Sequence, residues 1–173
     1  MNKAVIDQSW DYFRTVNGIG LRAIAALPAD KLDAHPIPGM RTPKELVVHL
    51  YTIVVALPAA VAKGEIKDTD EEEAATVQRI RTKDELVAWT RAQWAEGARI
   101  AKGLTDAQIQ GIVTSPWGHD FKGHVMMQVL YDEYWHHRGQ IYCYLRALGV
   151  EPPGLYDFEH NEAGFEREKQ ASA

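Results

Sequence analysis

The segment that decides the fold is residues 123–148, GHVMMQVLYDEYWHHRGQIYCYLRAL, near the end of the chain. Its apolar side chains recur every three or four residues, which is the period of an amphipathic helix. Gly149 and the Pro152-Pro153 pair follow, so the helix is predicted to stop at Leu148. The stripe predicted to face a core consists of Met126, Val129/Leu130, Glu133, His137, Ile141, Tyr144 and Leu148.

Three earlier segments have the same apolar period and predict three more helices. They run from about Ala4 to Leu27, from Pro43 towards Gly64, and from Thr82 to Gly103. Capping boxes open the last two, with Thr42 three residues before Glu45 and Thr82 three residues before Glu85. Pro58 interrupts the second of these helices and predicts a kink or an early end. Strand signals are nearly absent, so the sequence predicts an all-α four-helix bundle.

The remaining segments are predicted to be connections and a tail. The acidic stretch 67–73, KDTDEEE, is expected to be a solvated loop or the start of a helix. Residues 104–121 form a longer connection with a short strand or turn. We expect residues 1–158 to be one bundle domain and residues 159–173 to be a polar tail.

Composition limits the class of protein. The chain has 173 residues, 46% hydrophobic and 25% charged, which suits one globular domain. A net charge of −5 without a basic cluster argues against a nucleic-acid partner. Cys143 is the single cysteine, so no intramolecular disulfide can form. Without a signal peptide or a long apolar run, we expect a cytoplasmic protein with no membrane partner.

The polar members of the apolar stripes predict a metal site. Glu133 and His137 are four residues apart, so both side chains lie on one face of the helix. An unpaired carboxylate buried there would cost several kcal/mol. His49 lies on the inward stripe of the second helix in the same way. Two imidazoles and one carboxylate are a ligand set for zinc, iron, nickel or manganese with open coordination positions.

Other interpretations of these residues stay open at this point. His49 alone would more often be a hydrogen-bonded core histidine, and Glu133 with His137 would form a buried ion pair. Asp132 and His136 are also four apart, but their stripe is mixed in polarity and suggests a helix or subunit contact. Glu133-x-x-His136 imitates half of a di-iron site, but no second well-placed Glu-x-x-His is present.

Three sequence motifs resemble one known family. They are HHRGQ at 136–140, RTPKELVVHL at 41–50 and LGVEPPGLYD at 148–157. Together they resemble the DinB-like (DinB/YfiT-like) superfamily from the first helix to Tyr156. The resemblance implies a four-helix bundle in up-down-down-up order, often a homodimer, with a divalent metal held by three residues.

The resemblance places the three metal ligands on His49, Glu133 and His137. Most members carry histidine where this chain has Glu133, and the His/Glu/His set resembles the mycothiol-dependent maleylpyruvate isomerase branch, whose metal is zinc. We therefore expect one divalent ion, zinc or nickel before iron or manganese. A carboxylate ligand makes the site harder than three imidazoles would.

The resemblance also implies a class of reaction. Family members with assigned reactions mostly use low-molecular-weight thiols such as bacillithiol or mycothiol, and a metal can present such a thiol as a thiolate nucleophile. We expect an enzyme that activates a thiol or water for attack on a small-molecule electrophile. The alternatives are a non-catalytic metal-binding stress or structural dimer, and a metal-dependent hydrolase. The sequence names no catalytic residue.

Further residues are candidates for the surroundings of the site. Gln140 would orient a ligand ring through its second nitrogen. Arg138 would bind a substrate carboxylate or pair with an acidic residue on a neighbouring helix. The mouth of a pocket, or simply a packed loop, would contain Trp117, His119 and His124. Core packing or a dimer contact would involve Tyr131, Tyr134 and Trp135.

Overall fold

Four long helices make up most of residues 1–167, the part of the chain that a computed structural model describes. The elements in chain order are α1 (Lys3–Ala25), a 3-10 turn (Ala29–Lys31), α2 (Pro43–Lys63), α3 (Asp70–Arg79), α4 (Lys83–Gly103), α5 (Asp106–Gln110), β1 (Ile112–Val113), β2 (Phe121–Lys122) and α6 (Gly123–Ala147). The strands β1 and β2 pair antiparallel, with Val113 opposite Phe121. The all-α prediction is confirmed.

The predicted caps set the ends of the helices. The side chains of Thr42 and Thr82 each accept a hydrogen bond from the backbone three residues on, and Glu45 and Glu85 bond back to the cap. Gly64 ends α2 with a φ of 81°, a left-handed conformation that glycine adopts at little cost. The caps therefore place both helix starts at the predicted residues.

The helix α2 is the centre of the bundle and packs chiefly against α4 and α6. It continues through Pro58 to Lys63 and ends at Gly64 as predicted, so of the two effects expected of Pro58 the early end does not occur. Within residues 1–167 it alone is long and apolar enough to cross a membrane by length and composition, but 61% of that apolar window is buried in the bundle. Such burial is typical of a core helix, and it places the inward face of α2 next to α6.

An aromatic cluster joins α1, α4 and α6. The ring of Phe13 packs edge-on against the rings of Trp94 and Tyr134, with centroids 5.0 and 4.7 Å away. The Asn17 side-chain oxygen accepts hydrogen bonds from the hydroxyls of Tyr51 (2.6 Å) and Tyr134 (3.1 Å). Tyr134 is completely buried, so it belongs to the core of the protomer and cannot form a dimer contact.

The segment after α6 packs back on the bundle. The Asn161 amide donates to the Thr15 carbonyl (2.8 Å), and the Phe165 ring lies 6.0 Å from that of Trp94. Arg91 forms a two-pronged ion pair with Glu162. The domain boundary at residue 158 stays a prediction, and residues 168–173 of the predicted tail lie outside the described residues.

Candidate metal centre

The structure brings together the three residues predicted to bind a metal. One candidate ligand atom each from His49, Glu133 and His137 lies within 4.8 Å of the other two. His49 is supplied by α2, and the other two residues lie one turn apart on α6. The two imidazole rings meet edge to face, with centroids 4.9 Å apart. This spacing suits three ligands around one ion.

His137 has the features of a ligand prepared for a cation. The Gln140 side-chain oxygen lies 2.8 Å from His137 Nδ1, so it accepts the Nδ1 hydrogen and leaves the lone pair on Nε2. That Nε2 is buried and has no hydrogen-bond partner among the described residues. Glu133 Oε2 approaches it to 3.1 Å without hydrogen-bond geometry.

The charge state of His137 agrees with this arrangement. Burial lowers the pKa of His137, and the charge of His49 acts in the same direction; together they outweigh the hydrogen bond that His137 donates to Gln140 and the charge of Glu133. A neutral imidazole at pH 7 can act as a metal ligand. The lowered pKa also disfavours the alternative of a Glu133–His137 ion pair, which would need a protonated ring, and the expected burial of Glu133 is wrong, since its side chain is 41% exposed.

Glu73, on α3, contacts the candidate ligand His49. Both oxygens of its carboxylate lie near His49 Nδ1, at 3.1 and 3.0 Å, and Thr69 donates to one of them. Burial alone would raise the pKa of Glu73, but the bonds from His49 and Thr69 and the charges of His49 and Arg41 lower it overall. A carboxylate behind a ligand histidine fixes the ring and makes it a stronger donor.

Sequence reasoning missed Glu73. The prediction of a helix start within 67–73 is confirmed by α3, which begins at Asp70, but the expected solvation is wrong for Glu73, whose side chain is only 14% exposed. Three consecutive glutamates, 71–73, give no sign of which one turns inward. The packing of the short helix α3 against α2 selects Glu73, and the sequence carries no signal for that contact.

We expect Glu73→Ala to weaken metal binding by about tenfold or more, because removal of such a partner typically costs about 10- to 100-fold. Glu73→Gln should lose less, since the amide oxygen can still accept the Nδ1 hydrogen of His49. Competition against a chromogenic zinc chelator measures both affinities. Glu71→Gln is the control, because Glu71 is exposed on the same turn. Unchanged affinity in Glu73→Ala would contradict the assigned role.

A cleft of about 330 Å³ opens beside the candidate ligands. Its polar lining includes His49, Glu73 and Glu133. Its apolar lining consists of Ile53, Ala56, Leu57, Ile66, Pro116, Trp117 and Val129. A small molecule in this cleft would therefore contact both the candidate ligands and an apolar wall.

The remaining predicted residues are divided between the cleft and the surface. Trp117 lines the cleft, but His119 is exposed and does not line it. Gln140 contacts His137 as described and also lies 3.1 Å from His136 Nε2. Asp132 and His136 are both exposed, so the stripe of mixed polarity that contains them faces outward.

Arg138 lies away from the site. Its guanidinium lies over the rings of Trp135 (5.0 Å) and Tyr142 (5.9 Å). No carboxylate in residues 1–167 forms an ion pair with it, so the predicted partner on a neighbouring helix is absent there, and it does not line the cleft. His124 has a buried Nδ1 without a partner among these residues, and it too lies outside the cleft lining.

Comparison with known proteins agrees with this fold. The chain is similar in structure to a DinB-like protein, YjoA, from Bacillus subtilis, with a TM-score of 0.64 and 19% sequence identity over 79% of this chain and 89% of that chain. At this identity the likeness shows the fold alone. No curated protein matches the sequence. The model of the DinB family matches residues 1–170, nearly the whole chain, and the protein therefore belongs to the DinB family.

Proposed function

We propose that this DinB-family protein is a metal-dependent enzyme that activates a thiol or water for attack on a small electrophile. The observation that carries the proposal is His137 Nε2, a buried lone pair without a partner in the described structure, next to His49 and Glu133, which line an open cleft. Such an atom is costly to bury unless something binds it. The donor set of two imidazoles and one carboxylate suits a divalent ion.

The chain's own residues prepare the site for this chemistry. A divalent ion at three protein ligands keeps an open position, at which it lowers the pKa of a bound thiol or water. Glu73 and Gln140 accept the Nδ1 hydrogens of His49 and His137, a tautomer in which the lone pair of each ring is on Nε2. The apolar side chains of Ile53, Leu57 and Val129 exclude water from one wall of the cleft, which strengthens electrostatic interactions inside.

The identity of the ion is part of the proposal. Zinc or nickel suits two imidazoles best, with iron or manganese as alternatives favoured by the carboxylate. Elemental analysis of protein purified without a His-tag or added metal is the first experiment. A stoichiometric ion supports the proposal. If none is present and none is taken up from zinc, nickel, iron or manganese, the proposal is wrong.

Glu133→His should keep the metal. It restores the three-histidine set that the family resemblance implies for most members, and the side chain at this position is 41% exposed, so a larger ring can be accommodated. Glu133→Gln is the matched variant, because it keeps the size of the side chain but loses the charge, and we expect it to bind less tightly. Metal content after dialysis measures both. Loss of metal from Glu133→His would count against Glu133 as a ligand position.

Activity assays separate the alternatives. Metal-loaded protein is tested with several low-molecular-weight thiols and an electrophilic acceptor, and in parallel with model esters and amides. Thiol-dependent turnover supports the proposed reaction, whereas turnover of esters or amides without a thiol supports a hydrolase. Stoichiometric metal without turnover in either assay supports the non-catalytic stress or structural protein. His49→Ala serves as the metal-free control in each case.

We further propose that the protein acts in the cytoplasm as a homodimer. The exposed thiol of Cys143 suits a reducing compartment. Tyr12 is 54% exposed and lies 6.4 Å from the ring of Trp135, so an aromatic pair is available on the outer side of α1 and α6. Analytical ultracentrifugation tests the dimer.

A further inference from the structure

The candidate metal centre contains two carboxylates. Glu133 is one of the three candidate ligands, and Glu73 lies against His49 Nδ1 at 3.0 Å. Two carboxylates balance both charges of a divalent ion, whereas three imidazoles alone would leave the ion's charge uncompensated. An anionic molecule therefore gains little long-range attraction from the ion in this site.

The rim of the cleft adds further negative charge. Asp68 and Asp70 both line the cleft, Asp68 on the segment that joins α2 to α3 and Asp70 at the first position of α3. Among the described lining residues the one basic side chain is Lys67, whose ammonium lies 3.8 Å from the Glu65 carboxylate. The positive charge of Lys67 is thus partly balanced, and the rim is acidic overall.

The other part of the cleft lining is apolar. Ile53, Leu57, Val129 and the large indole of Trp117 are apolar members of the same lining as His49 and Glu133. A molecule with its reactive group at the ion would place its body against this apolar part and its other end at the acidic rim. A cation at that end would be attracted, and a carboxylate would be repelled.

We propose that the thiol taken by this cleft is cationic or uncharged at its far end, and that Asp68 and Asp70 select against anionic thiols. This inference rests on the proposed metal-dependent function, because the thiol must bind at the ion. It assigns a role in specificity to two residues that touch neither the ligands nor the ion. Both are exposed, so the selection is moderate in size and depends on salt.

The test uses cobalt-loaded protein and three short thiols that differ in charge: cysteamine, 2-mercaptoethanol and 3-mercaptopropionate. Binding of a thiolate to cobalt produces a charge-transfer absorption, which gives a dissociation constant without any need for turnover. The three thiols differ in their own acidity, so their dissociation constants cannot be compared directly. The informative quantity is the dissociation constant for 3-mercaptopropionate divided by that for cysteamine, compared between protein variants at one pH.

We expect the double variant Asp68→Asn/Asp70→Asn to lower this ratio by about three- to tenfold at low ionic strength, the size expected for two exposed charges. The asparagine at 68 can still accept the hydrogen bond from the Asp70 backbone, which is 2.9 Å long, so the loop should keep its shape. Glu71→Gln removes a neighbouring exposed charge that does not line the cleft, and it should leave the ratio nearly unchanged. High salt should also lower the ratio for the native protein, because it screens the two exposed carboxylates.

The outcomes separate this inference from the function on which it rests. Failure to take up cobalt would contradict the metal-dependent function itself. Cobalt binding with no thiolate absorption, or with a ratio that the double variant leaves unchanged or raises, would overturn the specificity proposal and leave the metal site intact. An equal fall in the ratio for Glu71→Gln would also overturn it, because the effect would then be one of general surface charge.

Discussion

Replacing His137 by alanine should abolish stoichiometric metal binding while the bundle stays folded. The loss should exceed about a hundredfold in affinity, since loss of a mere hydrogen-bond partner of a ligand already costs about 10- to 100-fold. His137 supplies the lone pair with no partner in residues 1–167, and the two remaining candidate ligands cannot replace it. Isothermal titration with zinc measures the loss.

The free energy of unfolding of His137→Ala should be close to that of the native protein without metal. A buried polar atom without a partner costs about 1–3 kcal/mol, and alanine removes that cost. The cavity left by the ring acts in the opposite direction, so the two effects largely cancel. Thermal unfolding with and without zinc tests this, because an ion that binds only the folded state raises the Tm of the native protein and not that of the variant.

The neighbouring residue provides the control. His136 is exposed, and His136→Ala should keep stoichiometric zinc and the zinc-dependent rise in Tm. Full zinc occupancy in His137→Ala would show that the ligand assignment is wrong. A loss of helical circular dichroism in His137→Ala would contradict the expectation that the ring serves binding more than folding.

The parts of the site on long helices could be predicted, for a physical reason. An apolar stripe of period 3.6 defines its inward face, so a polar residue on that stripe, such as His49 or His137, is conspicuous in the sequence. Gln140 follows from the same geometry, because a residue three positions on lies beside His137 on the helix surface.

The parts on short elements could not be predicted. The helix α3 is ten residues long, and its packing against α2 decides which of its glutamates turns inward. The loop with Trp117 and His119 has no period at all, and only one of the two lines the cleft. A polar residue is conspicuous on a regular apolar stripe, whereas an irregular acidic or aromatic segment has no pattern against which one inward-facing residue could be recognised.

Pro58 illustrates how tertiary packing overrides a local rule. Proline lacks the N–H that would bond to the Val54 carbonyl four residues earlier, which is why the sequence predicts a break. In the structure that carbonyl oxygen faces Gly97 of α4 so closely that a Cβ built on Gly97 would lie 2.5 Å from it. The close contact between α2 and α4 therefore depends on the absence of a side chain at Gly97.

Gly97→Ala should consequently destabilise the protein by about 2 kcal/mol, near the middle of the usual cost of overpacking a core. In a free helix the same change would stabilise by up to about 1 kcal/mol, because alanine is the better helix former. The clash at Gly97 outweighs that gain, since the new methyl group meets backbone and the Val54 side chain at 3.0 Å. Backbone in the central helix of a bundle cannot move aside as the end of a flexible side chain can.

Gly139→Ala is the matched variant, in the middle of α6. A Cβ at Gly139 would meet no atom of the described residues within 4 Å, so the change should stabilise by about 0.5–1 kcal/mol. Urea unfolding of both variants therefore gives midpoint shifts of opposite sign. Stabilisation by both variants would mean that helix propensity dominates at both sites and would contradict the predicted clash at Gly97, and destabilisation by both would contradict the open surroundings of Gly139. Opposite shifts would establish that the close contact with Val54, and not helix propensity, decides the effect of a methyl group at Gly97.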